Sequence, residues 1–225
     1  MKKVSAGIMC WNEVRSIEAA IESALPFADQ IVVLDRGSND GTWELLNELR
    51  SSIKELRIFS KPQNGGRFCE QYNESLNKNL IAKMCSNDTV LLFDADELLW
   101  GTDFDVFRRA ELPVSMIGYN ICGDGIYISQ FNGVKWATGR RVLCFNRNVY
   151  QFNPEKRRHA TVVAIGKDDA PQVLWLSAKP DTVRIFHVHP LVKQDRNWRS
   201  LDPSIYKTAK YEWPDPPSAT KVKRI

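Results

Sequence analysis

The first hundred residues fall into apolar blocks whose period switches between that of a strand and that of a helix. Val4 to Cys10 is an apolar run of strand length. Asn12 then stands as the N-cap of a predicted helix in which Val14, Ile17, Ile21 and Leu25 share a face, closed by Pro26. Ile31-Val32-Val33-Leu34 is apolar without alternation, as a central parallel strand covered on both faces should be. After a polar turn, Trp43, Leu46, Leu49 and Arg50 mark a second helix, and Leu56 to Phe59 a third strand. Phe68, Tyr72, Leu76 and Leu80 recur every four residues and predict a third helix with an apolar stripe. Thr89 to Phe93 is one more buried strand, and it runs straight into Asp94-Ala95-Asp96-Glu97.

Strand and helix in regular alternation predict an α/β fold, a mostly parallel sheet flanked by helices. In such sheets ligands bind beyond the carboxyl ends of the strands. The polar clusters Asn12-Glu13, Asp35 to Thr42 and Asp94 to Glu97 all fall there. From about Pro113 the pattern changes to short strand-like pieces separated by Gly, Asn and Pro: 116–121, 126–131, 142–145, 161–165, 173–176 and 183–187. This half is expected to extend the sheet with antiparallel strands and to supply an acceptor-facing surface. The expected organisation is one domain with halves 1–112 and 113–212, followed by a mobile basic tail, 213–225.

Composition adds little. Hydrophobic content of 43% and charged content of 26% are those of a globular protein with a real core. The apolar start is broken at once by Asn12 and Glu13, too early for a signal peptide, and no stretch is long enough to span a bilayer, so the expected location is cytoplasmic. The 5 cysteines are widely spaced without a C-x-x-C pair, which argues against a disulfide framework or structural zinc and for buried thiols. A net charge of +4 suits a nucleotide, an acidic lipid surface or a nucleic acid, and does not choose among them.

Candidate chemistry centres on Asp94 and Asp96. Carboxylates at i and i+2 on a strand end point to the same side. So close together they repel unless a cation lies between them, and oxygen ligands suit Mg2+ or Mn2+. Such an ion can bridge the phosphates of a nucleoside-diphosphate sugar. The plainer alternative is an exposed acidic turn. His187 and His189, two residues apart near a later strand end, are further candidate ligands and would favour Mn2+.

The segment CWNEVRSIEAAIESALPFADQIVVLDRGSNDGTWELL, followed in order by LLFDADELL, resembles glycosyltransferase family 2, the GT-A fold, and most closely its lipopolysaccharide-core branch. The resemblance covers residues 4 to about 99 and implies a metal-dependent, inverting transfer of a sugar from a nucleoside-diphosphate donor to a hydroxyl acceptor. It makes residues 1–112 the nucleotide-sugar half. Trp11 matches a position that stacks on the donor base, though a core aromatic is nearly as good a reading. Asn12 and Glu13 match the family's Asn-Glu, and Asp35 the aspartate that holds the nucleoside. Arg36 stands where many members have a second acid. Arg67 falls where a basic donor contact is common. The resemblance puts Asp94 at the ribose and metal, makes Asp96 the principal metal ligand, and has His187 complete the site with His189 in reserve. For the catalytic base it offers His159, Glu155 or Asp124. Ala160 stands where that branch has an acid after the histidine.

Two rival functions remain open from the sequence. Lys156-Arg157-Arg158, Arg140-Arg141, Lys135 with Trp136 and the basic tail could track nucleic-acid phosphates, either for binding alone or for transfer to a modified nucleic-acid base; solvated surface is the plainer account of them. A nucleotidyltransferase would also pair an α/β sheet with metal-bound carboxylates, but no glycine-rich, lysine-containing phosphate loop follows the first strand.

Overall fold

The computed structural model describes residues 1–62, 73–122, 127–131, 134–135, 140–155, 161–166, 176–177, 183–187 and 206–210, with strand residues in 117–142, 177, 184, 186–187 and 206–210 described through their backbone. The elements in chain order are β1 (Val4–Cys10), α1 (Ile17–Ala24), β2 (Gln30–Asp35), α2 (Thr42–Ser52), β3 (Leu56–Ser60), α3 (Glu74–Met84) and β4 (Thr89–Asp94). There follow β5 (Glu97–Gly101), α4 (Val106–Arg109), β6 (Val114–Cys122), β7 (Tyr127–Phe131), β8 (Val134–Lys135) and β9 (Arg140–Asn146). The last are β10 (Tyr150–Phe152), β11 (Val162–Ala164), β12 (Leu176–Ser177), β13 (Val183–His187) and β14 (Tyr206–Lys210).

The main sheet runs β14-β7-β6-β9-β4-β1-β2-β3. β1 pairs in parallel with β2 and with β4, and β2 in parallel with β3. The expected antiparallel extension is present: β9 pairs antiparallel with both β4 and β6, and β6 with β7. β13 lies beside the sheet, antiparallel to β5 and parallel to β6.

Alternation explains why the parallel strands read as apolar throughout. Val4, Ala6, Ile8 and Cys10 of β1 join Ile31 and Val33 of β2 and Leu91 and Phe93 of β4 in a core under α1. Met9, Val32, Leu34, Val90 and Leu92 face the other way and meet Ile81, Ala82 and Cys85 from α3 and its end. Helices on both faces leave no side of these strands for water. Cys10, Cys85 and Cys144 are buried free thiols, as expected.

Two sequence expectations are corrected. Asn12 does not cap α1: its backbone is left-handed at φ 56° and the helix begins only at Ile17. Between them Glu13 to Ser16 form a turn, in which the N–H groups of Ser16 and Ile17 both donate to the Glu13 carbonyl at 3.0 and 2.9 Å. The stripe foreseen for α3 is not its buried face either. The helix starts at Glu74, its N-cap Asn73 accepting the Leu76 N–H at 3.0 Å, and Leu76 is 54% exposed. Leu80 is half-buried, while Phe68 and Tyr72 lie outside the described residues. Ser75, Asn77, Lys78, Ile81 and Ala82 are the residues this helix buries.

Candidate functional site

Strand order reverses at β1, with β2 and β3 on one side and β4 on the other. The crevice at such a switch point opens at the strands' carboxyl ends. The three segments that emerge there are the loop after β1, the loop after β2 and the turn after β4.

The first two are laced together. The backbone N–H of Asn12 donates to Ser38 Oγ at 2.8 Å, and Asn12 Oδ1 accepts the Asn39 N–H at 2.9 Å. The Glu13 N–H donates to Thr42 Oγ1 at 2.9 Å, and the Val14 N–H to Asp40 Oδ2 at 3.2 Å. Asn12 is therefore spent on the neighbouring loop, which is why it cannot cap its own helix. Glu13 is buried, with Oε2 accepting from Ser16 Oγ at 3.1 Å.

Asp35, 2% exposed, ends β2 and organises the turn that follows. Its carboxylate accepts the Gly37 N–H at 3.0 Å, the Ser38 N–H at 3.1 Å and the Ser38 hydroxyl at 2.5 Å. Gly37 and Gly41 both have positive φ, 86° and 96°, where a Cβ is disfavoured, and Gly41 leads into α2. Just ahead of α2, Asp40 Oδ1 accepts the Thr42 N–H at 3.1 Å. Arg36 is buried beside this turn, its N–H donating to the Cys10 carbonyl at 3.1 Å. Burial pushes the Cys10 thiol well up, and the negative charges of Asp35 and Glu13 add to it, so this sulfur is no nucleophile. Trp11 is half-exposed in the bend after β1.

The acidic turn is built differently from the expectation. β4 ends at Asp94, Ala95 and Asp96 form the turn, and Glu97 already belongs to β5. Strand alternation therefore does not place Asp96; the turn does. It is held by the Ala95 N–H on the Met9 carbonyl at 3.1 Å and by the Asp94 N–H on Glu97 Oε2 at 2.8 Å. Asp96 and Glu97 are buried at 4% and 2% exposure, so the exposed-turn alternative is set aside. Asp94 is half-buried, and its Oδ1 is a buried oxygen with no hydrogen-bond partner.

Sequence reading missed Lys78. On α3, 4% exposed, its Nζ lies 3.0 Å from Glu74 Oε1 and 3.4 Å from Asp94 Oδ1, and 5.6 Å from the centre of the Phe152 ring. Burial alone would lower its pKa; the charges of Asp94, Glu74 and Glu97 outweigh burial and raise it above the ordinary lysine value. Lys78 is therefore an ammonium at any physiological pH. Glu74 and Lys78, four apart on a helix, carry the signature of a common surface pair, so nothing in the sequence signalled burial.

The remaining candidates divide. The β13–β5 register sets His187 opposite Glu97, one residue from Asp96, so the backbone brings the late strand end to the acidic turn. Glu155 is exposed in the turn after β10, whose Pro154 carbonyl accepts from Asn73 Nδ2 at 3.0 Å at the head of α3. Arg67, Asp124, His159 and His189 lie outside the described residues, as do Lys156, Arg157, Arg158 and Trp136 of the proposed basic patch.

Among the described residues no group of three or more His, Cys, Asp and Glu side chains is arranged to hold a metal. Mg2+ and Mn2+ do not need one: one or two carboxylates suffice when substrate phosphates supply further oxygens. Asp94 Oδ1 makes no hydrogen bond and meets a cationic group, the Lys78 ammonium at 3.4 Å; that oxygen and buried Asp96 in the same turn are donors of the kind such an ion takes.

Residues 5–100 match the family model described as glycosyl transferase family 2. Among curated proteins, an uncharacterized glycosyltransferase of Rickettsia bellii is 35% identical over 98 residues, which are 44% of this chain and 29% of that one. The chain thus covers less than a third of that relative's length. The lipopolysaccharide core biosynthesis glycosyltransferase LpsC of Rhizobium meliloti is 27% identical over 217 residues, 92% of this chain and 68% of that one. Among solved structures, S. aureus TarS 1–349 aligns with a TM-score of 0.51 and 15% identity over 84% of this chain and 61% of that chain, a likeness of fold. Among the described residues no helix is long and apolar enough to cross a membrane.

Proposed function

We propose, from the match of residues 5–100 to the model of glycosyl transferase family 2, that this chain transfers a sugar from a nucleoside-diphosphate donor to a hydroxyl acceptor. The observation that carries the donor end is the Asp94 carboxylate, half-buried with one oxygen that makes no hydrogen bond and lies 3.4 Å from the Lys78 ammonium, in the same turn as buried Asp96 at the mouth of a parallel-sheet crevice. Asp94 and Asp96 are the residues to hold Mn2+ or Mg2+, with His187 as the third ligand. Such an ion supplies Lewis-acid stabilisation of the departing diphosphate. The chain's own groups do the rest. Trp11 offers a ring for the base to stack on. The loops after β1 and β2, already laced together, present a preformed wall for the nucleoside and lose little freedom when it binds.

In an inverting transfer the bond from the sugar's anomeric carbon to the diphosphate breaks as the bond to the acceptor oxygen forms. The acceptor's proton passes to a base on the opposite face. Glu155, His159 and Asp124 are the candidates for that base. The likeness to LpsC, over 92% of this chain and 68% of that one, supports a saccharide of lipopolysaccharide-core type as acceptor.

The test is a thermal-shift series with nucleoside diphosphates, with and without Mn2+. The wild-type chain gains stability only when both are present. Asp96→Ala abolishes the Mn2+-dependent part while its circular dichroism stays native, and His187→Ala weakens it less. Full Mn2+-dependent stabilisation of Asp96→Ala would overturn the assignment.

A further inference from the structure

α3 carries a charge at a position where a helix facing a sheet is ordinarily apolar. Lys78 is buried against β4, Phe152 and the end of Asp94, and its charge is met by two carboxylates, Glu74 on its own helix and Asp94 on the strand. An apolar chain of similar length would pack against Phe152 at least as well and would escape the desolvation of an ammonium. What the charge adds is electrostatic, and it acts on the proposed cation ligand: Asp94 Oδ1, which no hydrogen bond satisfies, is 3.4 Å from Nζ.

We propose that Lys78 is a built-in counter-ion of Asp94 that keeps this carboxylate in place without a metal and lowers its affinity for a free divalent cation. Glu74 sets how much of the ammonium's charge Asp94 feels. Lys78 is on this view a positioning residue, acting through Asp94. A half-neutralised acidic turn avoids the repulsion that Asp94, Asp96 and Glu97 would otherwise suffer together. It also holds free Mn2+ weakly and gains affinity once the diphosphate brings its own oxygens, so that cation and donor bind as a pair. The inference rests on the cation reading of Asp94 and Asp96.

Two substitutions are expected to act in opposite directions, which loss of structure alone does not do. Free Mn2+ is measured by its electron paramagnetic resonance signal during titration of the full chain. Lys78→Met removes the competing charge and tightens Mn2+ binding by about tenfold, a modest fraction of one unit charge acting at close range. Glu74→Gln leaves the ammonium more fully to Asp94 and weakens Mn2+ binding. Mn2+ affinity unchanged or lower in Lys78→Met with native circular dichroism overturns the proposal. If Lys78→Met does not fold, Glu74→Gln decides, and an unchanged or tighter affinity there overturns it. Asp96→Ala separates the two ideas. When it abolishes binding but the Lys78 and Glu74 variants fail to move it as stated, only the counter-ion role falls. When Mn2+ together with a nucleoside diphosphate stabilises neither wild type nor Lys78→Met, the cation reading falls and takes this inference with it.

Discussion

Both oxygens of Asp35 are engaged by the two residues of its own turn that follow Arg36. The carboxylate thus does for the β2 loop what a cap does for a helix: it accepts N–H groups that the backbone cannot pair. Asp35→Ala leaves the Gly37 and Ser38 N–H groups without their acceptor in a half-buried turn, at a cost of about 1–2 kcal/mol. Urea unfolding should show that loss with no nucleotide present, and Asp35→Asn should lose less because its carbonyl still accepts. The stability loss is expected to come with weaker nucleotide binding, since the same turn braces Asn12 through Ser38. The sequence marked Asp35 as a polar residue closing an apolar strand. That its carboxylate is occupied by its own loop depends on the backbone path through Gly37, which residue types alone do not specify.

At the scale of elements, the seat of α3 is set by Gly7. A Cβ built on Gly7 would stand 2.4 Å from Ile81 Cγ2 and 2.4 Å from Leu92 Cδ2, so helix and strand approach more closely than any side chain on β1 allows. Gly7→Ala should force both neighbours aside and destabilise the fold by about 1–3 kcal/mol in chemical denaturation. The shifted helix should also loosen the contact of Lys78 with Asp94. Existence and order of β1, α1, β2, α2, β3 and β4 were legible because buried parallel strands and amphipathic helices have different periods. The faces of α3 were not. Its most regular apolar spacing leads to Leu76, which is exposed, while the helix buries a serine, an asparagine and a lysine. Polar side chains buried on a helix leave no apolar period to read. α4 and β5 were missed for a similar reason: both are short, and β5 is defined by its pairing with β13.

Across the whole molecule, the start of β1 is tied to α4 by one carboxylate. Asp29 Oδ2 accepts the Val4 N–H at 2.9 Å and is paired with Arg108. Partial burial acts to raise its pKa, but the Val4 hydrogen bond and Arg108 outweigh it and hold the carboxyl below the ordinary value. A depressed folded-state pKa means that Asp29 contributes its full stability above the unfolded value, about 3.9, and loses it as pH falls through the lower folded value. Asp29→Asn should therefore unfold more readily than the wild type at pH 6, by less than about 1 kcal/mol for so exposed a pair. The difference should close below pH 4, as thermal unfolding across that range would register. The acidic turn and its late histidine were legible as candidates, and the β13–β5 register sets His187 across from Glu97. Lys78 was not legible, since its partner Asp94 is near it only through the fold.

The late position of β13 has a consequence for how the protein is made. A ribosome releases β1 to β5 first, and the parallel set β1 to β4 is complete before the residues from Val183 to His187 are translated. β5 then waits with its edge open until that strand arrives to lie between it and β6. A nascent chain halted in the interval would carry the loops after β1 and β2 and the acidic turn without the strand that ends in His187.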